Sequence, residues 1–273
     1  MMYNSVQMKG IIDFHTHAFP DELSGRVIKM LEDEGGVKAH LNGTISSLLS
    51  SMDRCGIERS VICNIATNPS QFPSILKWCK KIASERIIPL PSFHPYDPEF
   101  SERIDSIKGE GFKGIKFHPY YQKFIMNEDR LFPVYEKISR ENLLLVMHTG
   151  FDFAFPWDRI CDPAMILQIT ERFPSLKLVT THLGAWKQWE EVEQLLLGRT
   201  IYMEISFALD YMGETDSIRN IFMNHPPEYI IFGTDSPWTD QQNTLSLLKS
   251  LNLGEHKERL ILRENALTLL NSV

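Results

Sequence analysis

The sequence predicts an α/β fold, a (β/α)8 (TIM) barrel of parallel strands, formed by the whole chain of 273 residues. Several apolar runs, such as Leu143 to Met147, are apolar at nearly every position, and strands that are apolar on both faces belong to parallel sheets covered by helices. Polar residues end both early and late runs, which favours a closed barrel over a doubly wound open sheet, because only closure joins the first and last strands. The eight runs lie near residues 10–15, 60–66, 87–93, 112–118, 143–148, 176–181, 200–206 and 229–234.

Amphipathic stretches between these runs predict the helices. Asp162 followed by Pro163 is typical of a helix start, since Asp caps the first turn and Pro suits its first position. The first gap between strands, residues 18–59, is long enough for two helical segments that form a wall or lid over a site. Further signals are an amphipathic segment at 75–83, a second start at Asp97-Pro98, helix ends at Gly109, Gly198 and Gly254, and a last helix at 257–270.

Bulk properties indicate one globular domain, residues 1–273, that acts on a small molecule. The net charge of −7 without a concentrated basic patch argues against nucleic acid as a partner. No apolar run reaches the ~18–20 residues of a membrane span, and residues 1–9 lack the apolar core of a signal peptide. The four cysteines form no C-x-x-C pair, as in a reduced cytoplasmic protein. We therefore expect a cytoplasmic protein with no membrane partner, and a homodimer as the default assembly.

Histidines and one aspartate follow four of the predicted strands, at the end of a barrel where catalytic groups lie. His15 and His17 are two residues apart on a strand, so their side chains share one face at a spacing of ~6.6 Å. His148 follows the fifth strand and Asp235 the eighth. This set of three His and one Asp suits a single divalent metal, zinc first, with Mn, Fe or Co as alternatives, and no organic cofactor is expected. His182, after the sixth strand, lies within reach of a metal-bound water or the substrate.

Six short motifs together resemble the amidohydrolase superfamily, in particular its "amidohydrolase 2" group, which includes enzymes similar to aminocarboxymuconate-semialdehyde decarboxylase. The resemblance spans nearly the whole chain. It implies a (β/α)8 barrel whose metal is held by His15, His17, His148 and Asp235, with His182 in a catalytic or supporting position. The motifs are Asp13–His17, Gly114–Pro119, Met147–Gly150, Thr181–Gly184, Gly233–Trp238 and Ile261–Ala266.

Lys116, near the end of the fourth predicted strand, has three interpretations. In binuclear members of the superfamily a lysine on this strand is carboxylated and bridges two metals, and His148 and His182 would then hold the second one. Alternatively, an unmodified Lys116 binds a substrate carboxylate, or its side chain points away from the lumen. Lys116 and His118 share one strand face, so both line the mouth or neither does. We predict substrate contacts from Lys116, His118 and Trp238, and a partner for the strand carboxylate of Glu204.

The preferred function is hydrolysis of a small, carboxylated amide, lactone or ester by a metal-activated water. Asp235 would accept the proton of this water, and His182 would polarise the carbonyl. The main alternative is non-oxidative decarboxylation of an aromatic or unsaturated acid, with His182 or Asp235 protonating the carbon that loses CO2. A more distant alternative is a non-catalytic ligand-binding barrel, against which the presence of both groups argues. Acidic residues in the loop after the fifth strand argue against a phosphodiester substrate: Asp152, Asp158 and Asp162.

Overall fold

The structure is a computed structural model that describes residues 10–273. Eight short strands lie in the order in which they occur in the chain and are parallel throughout the two sheets that they form, β1–β2–β3 and β4–β5–β6–β7–β8. All eight predicted runs contain a strand. The strands are β1 Ile11–Thr16, β2 Ile57–Cys63, β3 Ile87–Leu90, β4 Gly114–Phe117, β5 Leu144–Met147, β6 Lys177–Thr180, β7 Tyr202–Glu204 and β8 Ile230–Ile231.

Helices connect the strands and cover the outside of the sheets. The long first connection holds two helices, as predicted. The helices are α1 Asp21–Gly35, α2 Ile45–Cys55, α3 Phe72–Ile82, α4 Phe100–Gly109, α5 Pro119–Gln122, α6 Phe132–Arg140, α7 Pro163–Arg172, α8 Trp189–Leu195, α9 Asp216–Asn224, α10 Gln241–Ser250, α11 Glu255–Arg259 and α12 Asn265–Asn271, with a π-helical turn at Leu260–Glu264 between the last two. Within residues 10–273, none of these helices has the length and apolar character needed to cross a membrane.

Hydrogen bonds join the two sheets at both of their edges and close the barrel. Between β3 and β4, the amide of Lys116 donates to the carbonyl of Pro91 at 3.0 Å. Between β8 and β1, the amide of Phe14 donates to the carbonyl of Phe232 at 2.9 Å, and a parallel bridge pairs Thr16 with Ser236. The predicted (β/α)8 barrel is therefore confirmed, and the first and eighth strands are neighbours.

One end of the barrel is filled by α12, which leaves the other end for a site. Side chains of α12 pack in one apolar cluster with residues of β1, β2, β5, β6 and β8. Lys113 Nζ, just before β4, donates to the carbonyl of Val273 at 3.0 Å, and Asn142 Nδ2, before β5, donates to the carbonyl of Ser272 at 2.9 Å. The C-terminal segment thus lies at the N-terminal ends of the strands, and the open end carries the residues that follow them.

Several element boundaries differ from the predictions. The start of α7 is as predicted, since Asp162 Oδ1 accepts from the amide of Met165 at 3.0 Å. The helix predicted to start at Asp97-Pro98 begins slightly later, at Phe100. Asp97 Oδ1 accepts from the amide of Glu99 at 2.9 Å, and its Oδ2 accepts from Arg103 Nε at 3.0 Å. The helix end at Gly254 is wrong: α10 stops at Ser250, and Gly254, with φ of +87°, leads into α11. The expectation about residues 1–9 lies outside the described residues.

Candidate metal centre

All eight residues predicted for the site line one cavity of about 430 Å³ at the open end of the barrel. Cavities of this size are typical of sites for small molecules. The strand ends bring together side chains that are far apart in the chain, from β1 to the loop after β8. The eight are His15, His17, Lys116, His118, His148, His182, Asp235 and Trp238.

His15, His17 and Asp235 form a group of potential metal ligands. Asp235 Oδ1 lies 2.9 Å from His17 Nε2 and 3.5 Å from His15 Nε2. This buried oxygen nevertheless accepts no hydrogen bond of suitable geometry within the described residues. The loop is held in place by backbone contacts, because the amide of Asp235 donates to the carbonyl of His15 at 2.7 Å and the amide of His17 donates to that of Ser236 at 2.6 Å. Convergence of three ligand atoms without hydrogen bonding between them is the arrangement that a shared cation needs.

Glu204 holds His15 from inside the barrel. His15 Nδ1 donates to Glu204 Oε2 at 2.9 Å, and Ser206 Oγ donates to the same oxygen at 2.8 Å. Because the proton of the ring is on Nδ1, Nε2 keeps its lone pair, which faces Lys116 Nζ at 3.1 Å and is of the kind that binds a cation. Burial raises the pKa of Glu204 above its ordinary value, and the hydrogen bonds from Ser206 oppose this shift. The partner expected for a carboxylate within β7 is therefore a ring of the candidate site.

His148 and His182 lie against each other at 3.1 Å between His148 Nδ1 and His182 Nε2. His148 Nε2 donates to the carbonyl of Phe151 at 3.0 Å, since a carbonyl can only accept. His148 Nδ1 therefore carries the lone pair on the side of His182. His182 is fixed in turn by Ser206, whose Oγ lies 3.0 Å from His182 Nδ1.

A second group of potential ligands joins His118, His148 and Asp152. The His118 and His148 rings are stacked, with centroids 4.0 Å apart, and Asp152 Oδ2 lies 3.4 Å from His118 Nε2 and 3.9 Å from His148 Nε2. The sequence placed His118 at the substrate and gave Asp152 no part in the site. Its position two residues beyond Gly150, in the loop that also follows His148, was the available signal for Asp152.

Lys116 points into the barrel, so the interpretation in which it faces away from the lumen is wrong. Its side chain is fully buried, and its Nζ lies 3.1 Å from His15 Nε2. His118 lines the same cavity, as the shared strand face predicted. The two remaining interpretations, a carboxylated bridge and a free cation, both require this inward orientation.

Burial keeps four imidazoles of the site uncharged at neutral pH. It lowers the pKa values of His15, His118 and His148 well below 6.5, and that of His182 to about 4, and the nearby charge of Lys116 adds to each shift. Although burial raises the pKa of Asp235, its histidine neighbours outweigh this effect and hold the pKa well below its ordinary value. Neutral imidazole and ionised carboxylate are the forms that bind a divalent cation.

The chain belongs to the amidohydrolase family, because residues 12–271 match the family model described as Amidohydrolase. The predicted family is confirmed, and with it an enzyme of this type. No curated protein sequence matches the chain.

Solved structures with the same fold have low sequence identity to this chain. An uncharacterised TIM-barrel protein of Bordetella bronchiseptica is 17% identical over 96% of this chain and 99% of its own, with a TM-score of 0.77. A 2,6-dihydroxybenzoate decarboxylase from Rhizobium is 14% identical over 97% and 99% of the two chains, with a TM-score of 0.69. A 5-carboxyvanillate decarboxylase mutant from Novosphingobium aromaticivorans, solved with bound manganese, is 13% identical over 97% and 98%, with a TM-score of 0.68. These likenesses confirm the barrel.

Proposed function

We propose that this protein is a metal-dependent hydrolase that cleaves a small amide, lactone or ester with a water activated at the barrel mouth. The observation that carries the proposal is the convergence of His15, His17 and Asp235 on one point without hydrogen bonds between them. Membership of the amidohydrolase family supports the same reaction class. The whole chain, residues 1–273, is proposed to form this one domain, in the cytoplasm and as a homodimer.

The proposed ligands of one divalent cation are His15, His17, His148 and Asp235. Zinc fits three imidazoles and a carboxylate, and Mn, Fe or Co are accepted by the same set. When bound, such a cation supplies a Lewis acid and lowers the pKa of a water molecule toward ~7. His148 would bind through Nδ1, because its Nε2 proton is held by the carbonyl of Phe151, although its ring is grouped with His118 and Asp152 and not with the other three ligands.

The side chains around this centre supply the proton transfers. Asp235, ionised because its pKa is held low, accepts the proton of the attacking water and passes it to the leaving group. His182 is proposed to stabilise the oxygen on which negative charge develops by donating from Nε2, which requires the ring proton to move from Nδ1, 3.2 Å from the carbonyl of Ser206. Lys116 and His118 hold the carboxylate of the substrate, and Trp238 packs against its body.

Decarboxylation of an aromatic or unsaturated acid is the second candidate function. It is favoured by the cation of Lys116, 3.1 Å from a candidate metal ligand, in a cavity that also contains Phe151, Trp186 and Trp238. In this reaction His182 or Asp235 protonates the carbon that loses CO2. Release of CO2 from an aromatic acid, without hydrolysis of esters or lactones, would favour this function over hydrolysis.

The test is the metal content per chain, measured by elemental analysis on protein purified without chelators or added metal. About one metal per chain is expected, and His148→Ala should lose it. His182→Ala should keep the metal and lose turnover, and Glu190→Gln, on the surface helix α8, is the matched control. About two metals per chain would support Lys116 as a carboxylated bridge. No metal, and none bound on titration, would overturn the proposal.

A further inference from the structure

The cavity of the candidate site extends into an apolar arm between α1 and α3. Side chains of α1 line it, although only Ser24 and Ile28 of this helix are buried in the fold. Leu23 and Met30 remain 37% and 48% exposed, so part of the apolar surface of α1 beside the cavity is not covered by the rest of the protein. The apolar residues that line the arm are Leu23, Val27, Met30 and Leu31 of α1 and Ile75 and Trp78 of α3.

The end of α1 meets the far side of the barrel mouth. A Cβ added at Gly35 would lie 2.8 Å from the ring of Phe153, so the helix backbone is in close contact with the loop after β5. The Phe153 ring packs against Trp186 at a centroid distance of 5.6 Å. Helix α1 therefore spans the mouth from β1 to the β5 loop, and the space beneath it is walled by apolar and aromatic groups.

Three polar residues that line the arm have partners in the protein, whereas the buried indole Nε1 of Trp78 has none among the described residues and leaves the arm one uncharged donor. Gln71 Oε1 accepts from the amide of Thr67 at 2.7 Å, Ser74 Oγ donates to the carbonyl of Gln71 at 2.8 Å, and Asn64 Nδ2 donates to that of Leu90 at 3.0 Å. Among the described residues that line the whole cavity, Lys116 is the one Lys or Arg. A second anionic group on a ligand would have no cation to pair with away from the metal centre, and burying an unpaired charge is strongly unfavourable.

We propose that the substrate carries an apolar arm, a branched or extended acyl chain or an aryl group, that lies between α1 and α3, and that it carries no more than one anionic group, held at Lys116. This inference rests on the proposed function, and it narrows the substrate class from any small carboxylated amide, lactone or ester to one with a hydrophobic body and at most one anionic group. Binding in the arm follows from burial of apolar surface, which is worth a factor of about 4 in Kd for each added methylene.

Binding of unbranched alkanoates tests the arm without requiring turnover. Butanoate, hexanoate and octanoate are titrated by calorimetry into the protein with its metal content measured, and into the same protein after chelation. We expect Kd to fall about tenfold or more for each two methylenes added, and hexanedioate and octanedioate to bind more weakly than the mono-acids of equal length. A Kd independent of chain length, or dicarboxylates that bind as tightly, would overturn the proposal.

Variants locate the effect on α1 and α3. Leu23→Asp, at a half-exposed position where the fold tolerates charge, and Trp78→Ala should each weaken octanoate binding about tenfold and leave butanoate binding within twofold. Met223→Asp, an apolar residue 53% exposed on α9 outside the cavity, is the matched control and should change neither. Octanoate binding that is unchanged in both arm variants would place the ligand elsewhere and refute the inference.

The two proposals fail in different ways. One metal per chain with no dependence of Kd on chain length removes the apolar arm and leaves the metal-dependent function. Steep dependence on chain length in a protein that never binds metal removes the proposed function and leaves a site for hydrophobic acids in the barrel mouth.

Discussion

Replacing Glu204 with Gln should weaken metal binding by about 10–100-fold while the fold is retained. Glu204 is fully buried, and its Oε2 accepts the proton of His15 Nδ1 at 2.9 Å. Loss of such a hydrogen-bond partner behind a metal ligand lowers the metal affinity by about 10–100-fold. The Gln amide can also present a donor to Nδ1, which would move the ring proton to Nε2 and block that ligand atom.

Competition with a chromophoric chelator measures the Kd of the metal for the wild-type protein and for Glu204→Gln. Glu190→Gln makes the same change at a surface carboxylate and should leave Kd unchanged. Circular dichroism and thermal unfolding of the metal-free variants check that both fold. A Glu204→Gln protein that folds and binds metal with the wild-type Kd would refute the role given to the contact between Glu204 and His15.

Three further predictions concern the protein around the site. Iodoacetamide at pH 8, followed by mass spectrometry, should alkylate Cys55 before Cys63 or Cys79. Burial raises the pKa values of the last two thiols to about 12, so about one in 10⁴ of them is a thiolate at this pH. Rapid labelling of either buried thiol would contradict this. Gly114→Ala should lower the free energy of unfolding, measured in urea, by about 1–3 kcal/mol. The new Cβ would lie 2.6 Å from the Leu144 side chain. An unchanged urea midpoint of unfolding would count against the close packing of β4 on β5. The free energy of unfolding of the metal-free protein should also fall by a few kcal/mol between pH 7.5 and 5.5. The unfolded chain takes up protons near pH 6.5, while burial keeps the folded histidine pKa values lower, at about 1 kcal/mol per histidine. Two carboxyls offset only part of this loss: Asp13, whose pKa burial raises to about 6, and Glu204, whose pKa burial raises well above its ordinary value. A stability that rises toward pH 5.5 would show that the rings are not buried neutral. These rings belong to His15, His118, His148, His182 and His225.

The sequence was sufficient to predict the barrel and the side of it that carries the polar groups, because eight apolar runs end in those groups. It placed the start of β2 too late, since Glu58 and Arg59 interrupt the apolar pattern although Ile57 already pairs with Ile11. A periodicity argument fails there because Glu58 and Arg59 are only partly buried, although Ile57 before them is buried.

The finer arrangement of the site depends on contacts across the barrel. Asp152 lies in a loop without periodicity, so only the folded chain brings it to His118 and His148. The pairing of Glu204 with His15 joins β7 to β1, and no local pattern reports a contact between residues 189 positions apart. The ligand set of His15, His17, His148 and Asp235 stays a prediction until metal is measured.

The contact of Gly35 with Phe153 affects how ligands enter and leave. Lifting α1 from the β5 loop would expose Leu31, Val27 and the aromatic wall to water, which costs free energy in proportion to the apolar area uncovered. In water the contact between α1 and the β5 loop is therefore favoured. A ligand with a hydrophobic arm covers the same surface as it enters and so offsets the cost of opening, whereas a small polar molecule cannot. Entry at the mouth would thus favour molecules with a hydrophobic arm over small polar ones.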